Sequence, residues 1–176
     1  VYYSAAVTSM KPELSSIYIY SEEEQIVFVA TDSFRLAEKR VSVKKGKDFG
    51  SVLIPFKNVP EIIRSLELMK GEVVIHFDVN QIAFEYEGIY LVSRVIDGTF
   101  PDYKQIIPKE FKTEVIVLKQ DLLNALKLSN VFSDTFNQIV VRVIPGEKLF
   151  ELATKNSTVG ENNNNLEAVL KGEDIT

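Results

Sequence analysis

Three aspartates and one histidine are the side chains in this sequence best suited to acid–base or metal chemistry. They are Asp32 in Thr31-Asp32-Ser33, Asp97 in Ile96-Asp97-Gly98, Asp102 in Pro101-Asp102-Tyr103, and His76 in Ile75-His76-Phe77. Carboxylates brought together would hold a divalent cation or share a proton, and a histidine would serve a nucleophile as its base. Each Asp, however, borders Ser, Gly or Pro, where a short carboxylate commonly caps a turn by bonding nearby backbone. His76 lies within an apolar run, so a solvent-facing strand position competes with a catalytic one. The chain has no Cys and one His. That removes disulfides, thiolate metal sites and a cysteine nucleophile, and it argues against a histidine-rich metal centre or a histidine triad. The 8 glycines are scattered at turns, without the Gly-x-Gly-x-x-Gly or Walker spacing that cradles phosphate. A non-catalytic protein without metal or cofactor is therefore expected.

With 176 residues, 45% of them hydrophobic, the chain can build one ordinary core or two small ones. No apolar run approaches the ~20 residues needed to cross a bilayer. The first residues lack the basic-then-apolar layout of a signal peptide, so a cytoplasmic location is expected. A net charge of −5 argues against tight wrapping of nucleic acid, which needs clustered Lys and Arg.

The elements that would position these residues follow from two alternating periodicities. Ile17–Tyr20 and Gln25–Ala30 are β-branched and aromatic runs around the polar tip Ser21-Glu22-Glu23-Glu24, which predicts a hairpin. Leu36–Val43 continues as a strand, Lys44–Asp48 as a charged loop, and Val52–Ile54 as a short buried strand stopped by Pro55. Val59, Ile62, Ile63 and Leu66 then recur at helical spacing, with Pro60 near the first turn and Gly71 ending the run. Val73–Phe77, Gln81–Tyr86 and Ile89–Ile96 form a predicted meander. After Asp102–Lys112 the pattern restarts with strand Glu114–Leu118 and helix Gln120–Leu128, whose expected apolar face is Leu122, Leu123 and Leu126. Strands Gln138–Val143 and Lys148–Thr154 follow, around the turn Ile144-Pro145-Gly146-Glu147. Asn162–Asn165 are expected to form a polar turn or loop before a strand at Leu166–Leu170.

An internal repeat underlies this order. Ile17 through Thr31 aligns without a gap on Val140 through Thr154. The second copy is preceded by a strand and a full helix, whereas in the first only Val1–Ala6 remains, matching the last turn of that helix. At the other end Asp174-Ile175-Thr176 aligns with Ser51-Val52-Leu53. The expectation is a fragment that starts and stops inside domains; a complete protein of unusual topology is the alternative.

Two segments carry a family resemblance. Ala30-Thr31-Asp32-Ser33-Phe34-Arg35-Leu36-Ala37 resembles the Ala-Thr-Asp-Gly-His-Arg-Leu-Ala signature of the bacterial sliding clamp, the beta subunit of the DNA polymerase III holoenzyme. Asp97-Gly98-Thr99-Phe100-Pro101-Asp102-Tyr103 resembles that family's Asp-Gly-x-Phe-Pro-Asp-Tyr. The resemblance implies an α+β DNA-clamp fold made of duplicated strand-helix-meander units, with antiparallel sheets outside and helices lining a ring of two subunits. It implies a middle domain over 1–101 and the first half of a C-terminal domain over 102–176. The implied function is that of a processivity factor, encircling double-stranded DNA with weak direct contacts and tethering the polymerase and clamp-loader subunits through short apolar peptides. Such a ring encloses DNA without gripping it, which the acidic charge permits. A non-catalytic peptide- or protein-binding β-rich scaffold unrelated to replication is the alternative.

Carried over by the resemblance, the peptide groove falls on Leu14, Thr31, Ser33, Phe34, Arg35 and Leu36, then on Pro101, Gln105 and Ile106, with Phe132 or else Phe136 as a further candidate. Ser33-Phe34 replaces Gly-His, and Gln105 stands where some members carry Arg, so rim chemistry and peptide preference depart from the family. By strand geometry alone Phe34 and Leu36 face either the core or a partner. The expected DNA-facing residues are Lys11, Lys57, Arg64, Lys70, Lys119 and Lys127, with a solvated helix face as the competing reading.

Overall fold

The computed structural model describes residues 1–8, 10–43 and 48–176, so the expected loop over 44–48 lies outside the described residues except for Asp48. The chain divides into two compact units, Val1–Tyr103 and Lys104–Thr176.

In the first unit, β1 (Ser16–Glu22) and β2 (Gln25–Thr31) form the expected hairpin, with Glu23 at φ +54° in its tip. Glu22 is not a free member of that tip, because Arg40 pairs with it from the strand on the far side of β2. β3 (Leu36–Ser42) folds back along β2, and β4 (Ser51–Pro55) pairs on the far side of β1, giving the antiparallel order β3-β2-β1-β4.

This sheet is apolar on both faces, which is why its strands read as nearly continuous hydrophobic runs. One face carries Ile17, Ile19, Ala30, Val52 and Ile54 into the main core. The other carries Tyr18, Val27, Val29 and Leu53 into a second cluster closed by Phe100 and Tyr103. Period-two alternation requires this division.

The main core is completed by α1 (Val59–Glu67) and by a second sheet, β5 (Val74–Phe77), β6 (Gln81–Tyr86) and β7 (Ile89–Arg94), in sequential antiparallel order. α1 buries Val59 and Ile62. Ile63, expected on the same face, lies at its edge and is 42% exposed. Pro60 occupies the first turn, where its missing N–H costs nothing. Asn58 does not cap the helix; its amide donates instead to Ser93 Oγ at 3.0 Å. The helix ends at Glu67, before Gly71, which takes φ +122°.

The second unit contains β8 (Thr113–Val117), α2 (Lys119–Val131), β9 (Val140–Ile144), β10 (Leu149–Asn156), β11 (Gly160–Asn165) and β12 (Ala168–Gly172). The strands pair as β11-β10-β9 and β12-β8. Two expectations are corrected here. Asn162–Asn165 are not a turn: they lie in β11, with Asn162 opposite Thr154 and Asn165 opposite Glu151. Pairing with a strand already held in the core outweighs the low strand preference of Asn. In α2, longer than expected, the buried residues are Ala125 and Ser129 with Leu122 packed alongside, while Leu123 and Leu126 are 39% and 36% exposed. Ala125 packs in one cluster with Phe150 and Leu152 of β10, and the larger leucines flank the buried stripe.

The repeat is a structural one. Tyr18 faces Val29, Ile19 faces Phe28, Tyr20 faces Val27 and Ser21 faces Ile26. Their aligned residues pair identically: Val141 with Leu152, Arg142 with Glu151, Val143 with Phe150, and Ile144 with Leu149. Ile175 bridges Val143 through both backbone bonds, 2.8 and 2.9 Å.

Candidate functional site

The loop between β2 and β3 is built around one carboxylate. Asp32 Oδ1 accepts the backbone N–H groups of Phe34 and Arg35 at 3.0 and 2.7 Å. Oδ2 accepts Arg35 Nε and Nη2 at 2.9 and 2.7 Å. The Arg35 backbone bond, then the Arg35 side chain, then the Phe34 backbone bond hold the Asp32 pKa down to about 2. Thr31 is buried and completes the turn. Its hydroxyl donates to the Arg35 carbonyl at 2.8 Å and accepts Ser33 N–H at 3.2 Å.

Ser33 adopts φ +77°, a conformation favouring glycine. The turn throws Phe34 outward, 96% exposed, and starts β3 with Leu36 half-buried against the second cluster. Of the two residues left open between core and partner, Leu36 therefore rests against the core and Phe34 is free of it. Both Asp32 oxygens are engaged in forming the turn.

The second signature segment returns to the same sheet. Ile96 N–H donates to Leu53 O at 2.8 Å, and Tyr103 N–H donates to Pro101 O at 2.8 Å, closing a turn that leaves Pro101 exposed. Phe100 and Tyr103 are buried against the sheet face that carries Leu36. Phe100 stacks on Tyr18 at 4.8 Å, and Tyr103 meets Phe100 edge-on at 6.2 Å. Tyr103 Oη bonds Tyr20 Oη at 2.8 Å and donates to Glu38. Burial first, then Glu38 and Tyr20, push the Tyr103 hydroxyl well above the usual phenol range. No local sequence signal marks this set of Tyr20, Glu38 and Tyr103, because its members lie far apart in the chain.

Leu14 is half-buried, with its N–H on Lys11 O and its carbonyl on Ala6 N–H. Within the second unit Gln105 and Ile106 are exposed on the short 3-10 turn Tyr103–Ile106. Phe132 is half-buried at the end of α2, and Phe136 is 79% exposed.

The six basic candidates are all exposed: Lys11 in the loop before β1, Lys57 and Arg64 at α1, Lys70 beyond it, Lys119 and Lys127 on α2. Arg64 pairs with Glu61 at 3.2 Å, and Tyr86 holds the backbone of Lys70 through its hydroxyl.

His76 is a solvent-facing strand residue whose Nε2 lies 2.9 Å from Glu85 Oε2. Among the described residues no group of three or more His, Cys, Asp or Glu is placed to hold a metal. Among the described residues no helix is long and apolar enough to cross a membrane. An open cleft of about 1050 Å³ lies in the first unit beside Phe49, Ile75 and Phe77. His76 and Asp97 line it, but no expected groove or DNA-facing residue does, and the projecting turn with its neighbouring Phe-Pro segment is the better candidate for recognition.

A sheet covered on both faces, a helix between two meanders and these two segments define the DNA-clamp fold. The solved DNA polymerase III beta subunit of Thermotoga maritima aligns with a TM-score of 0.87 at 27% identity, covering 99% of this chain and 47% of that one. The sliding clamp of Bacillus subtilis aligns at 0.91 and 23%, with the same coverage. The beta sliding clamp of Streptococcus pneumoniae serotype 4 is 26% identical over 176 residues, 99% of this chain and 47% of the relative. The family model for the DNA polymerase III beta subunit, central domain, matches residues 1–102, and the chain belongs to that family. It spans about half the length of the curated relatives it matches.

Proposed function

We propose that the chain acts as part of a sliding clamp, a non-catalytic processivity factor of the bacterial replicative polymerase working in the cytoplasm. Residues 1–101 serve as the middle domain and 102–176 as the first half of the C-terminal domain. The observation that carries this reading is the meeting of the two signature segments on one sheet face. Leu36 packs in the cluster closed by Phe100 and Tyr103, beside exposed Phe34 and Pro101. Apolar groups next to a rigid, hydrogen-bonded turn suit a short extended peptide with Leu and Phe anchors, the kind of segment through which polymerase and clamp-loader subunits would be tethered.

Double-stranded DNA is the second partner. The acidic chain supplies only dispersed cations, so DNA is held by enclosure within a homodimeric ring of the full-length protein, with helices inside and sheets outside. The experiment is retention of the full-length protein on nicked circular duplex after assembly by its loader. Survival on the circle and loss after linearisation are expected; equal loss from both contradicts the reading.

A further inference from the structure

Four aromatic rings and one carboxylate hold the Phe-Pro-Asp-Tyr segment on its sheet. Tyr20 stacks on Tyr18 with centroids 5.1 Å apart, Tyr18 on Phe100 at 4.8 Å, and Phe100 meets Tyr103 edge-on at 6.2 Å. The bond of 2.8 Å between the Tyr103 and Tyr20 hydroxyls closes the ring of four.

The direction of the protons follows from chemistry. A carboxylate only accepts, so Tyr103 places its single O–H proton on Glu38, and Tyr20 must donate to the Tyr103 oxygen. Glu38 is itself fixed, since its Oε1 accepts Arg40 Nε at 2.7 Å and Arg40 also pairs with Glu22. The Tyr103 hydroxyl is thus held in the middle of a chain anchored in β1 and β3.

The geometry gives this chain a task. Glu38 and Leu36 are two apart on β3 and share a face. Tyr103 bonds the first and packs in one cluster with the second. Its backbone N–H also bonds the Pro101 carbonyl.

We infer that Tyr103 is a positioning residue: its hydroxyl, clamped between Tyr20 and Glu38, sets the separation of Leu36 and Pro101, the two walls between which the peptide anchor enters. The inference rests on the peptide-binding reading above, and it concerns a group that lies behind the peptide rather than against it.

Three variants test it. Tyr103→Phe keeps the ring and removes the hydroxyl, Glu38→Leu removes the acceptor, and Glu38→Gln keeps an acceptor oxygen. Each is measured for hydrogen exchange at the Tyr103 amide and for affinity toward a short peptide carrying Leu and Phe anchors. Tyr103→Phe and Glu38→Leu are expected to speed exchange about tenfold and to weaken the peptide about fivefold, while Glu38→Gln stays within about twofold of the parent in both.

Unchanged exchange in Tyr103→Phe overturns the inference, as does faster exchange with unaltered affinity. Equal loss in Glu38→Gln and Glu38→Leu also contradicts it, because the retained acceptor should rescue. If the parent chain binds no peptide, the peptide reading falls by itself, and with it the two-wall role. Exchange alone then decides whether the hydroxyl latches the segment.

Discussion

The guanidinium of Arg35 is turned back onto its own loop, with Nε and Nη2 both on Asp32 Oδ2 at 2.9 and 2.7 Å. The side chain is still 60% exposed, so an incoming ligand meets a cation already partnered. Phe34, between the two, is left as the outermost group of the turn.

This arrangement makes the turn acid-sensitive. The folded pKa of Asp32, about 2, lies below the ordinary carboxylate value near 3.9. Its contribution to stability is therefore complete above about pH 4 and is lost as pH falls toward 2. A carboxyl carbon titration by NMR should show Asp32 still ionised at pH 3. Asp32→Asn should abolish the dependence and loosen the Phe34 and Arg35 amides in hydrogen exchange.

Ser33 gives a stabilising substitution. A side chain in the left-handed region costs roughly 1–2 kcal/mol, and glycine's extra freedom in the unfolded chain returns about 0.5–1 of that. With φ at +77°, Ser33→Gly should gain about 0.5–1 kcal/mol in denaturant unfolding. A loss of stability would show that the Ser33 conformation is held by contacts a glycine gives up.

On α2 the two sets of apolar positions should behave oppositely. Ala125 is 6% exposed, so Ala125→Leu overfills the contact with β10 and should cost about 1–3 kcal/mol. Leu123→Gln, at a position 39% exposed, should cost less than about 1 kcal/mol in this chain. Urea unfolding followed by circular dichroism separates the two.

Much of this fold is written in local pattern. The hairpin of β1 and β2, the meander of β5 to β7 and the helix over Val59–Glu67 all follow from periodicity and turn residues. What failed was judged by composition against tertiary pairing. Asn162–Asn165 look like a loop, yet the offset carrying Ile17 to Val140 carries β3 onto residues 159–165, and β11 is the strand found there. The repeat held that information, and the asparagines masked it. In α2 the sequence marks leucines as core, whereas the packed helix buries Ala125 and Ser129, and which stripe faces the sheet is set by tertiary packing rather than by hydrophobicity.

At the candidate site the turn chemistry of Asp32 was legible because its partners are two and three residues away. Tyr103 bonds residues 65 and 83 positions distant, and no local pattern announces such a pair.

DNA affinity of this chain alone should be low and salt-dependent. With a net charge of −5 and Arg64 already paired to Glu61, counterion release from few phosphates is the only favourable contribution. Fluorescence anisotropy with a short duplex should show weak binding at low salt that vanishes at physiological salt.

The peptide site is the central claim, and chemical-shift mapping with a peptide bearing Leu and Phe anchors tests it most directly. Perturbations are predicted at Leu14, Phe34 and Leu36 and at the residues flanking Pro101. Leu36→Ala should weaken binding by about 1–2 kcal/mol, while Glu23→Ala at the hairpin tip leaves it unchanged. Shifts that cluster instead around Arg64 or Lys127 and leave Leu36 untouched would contradict the account.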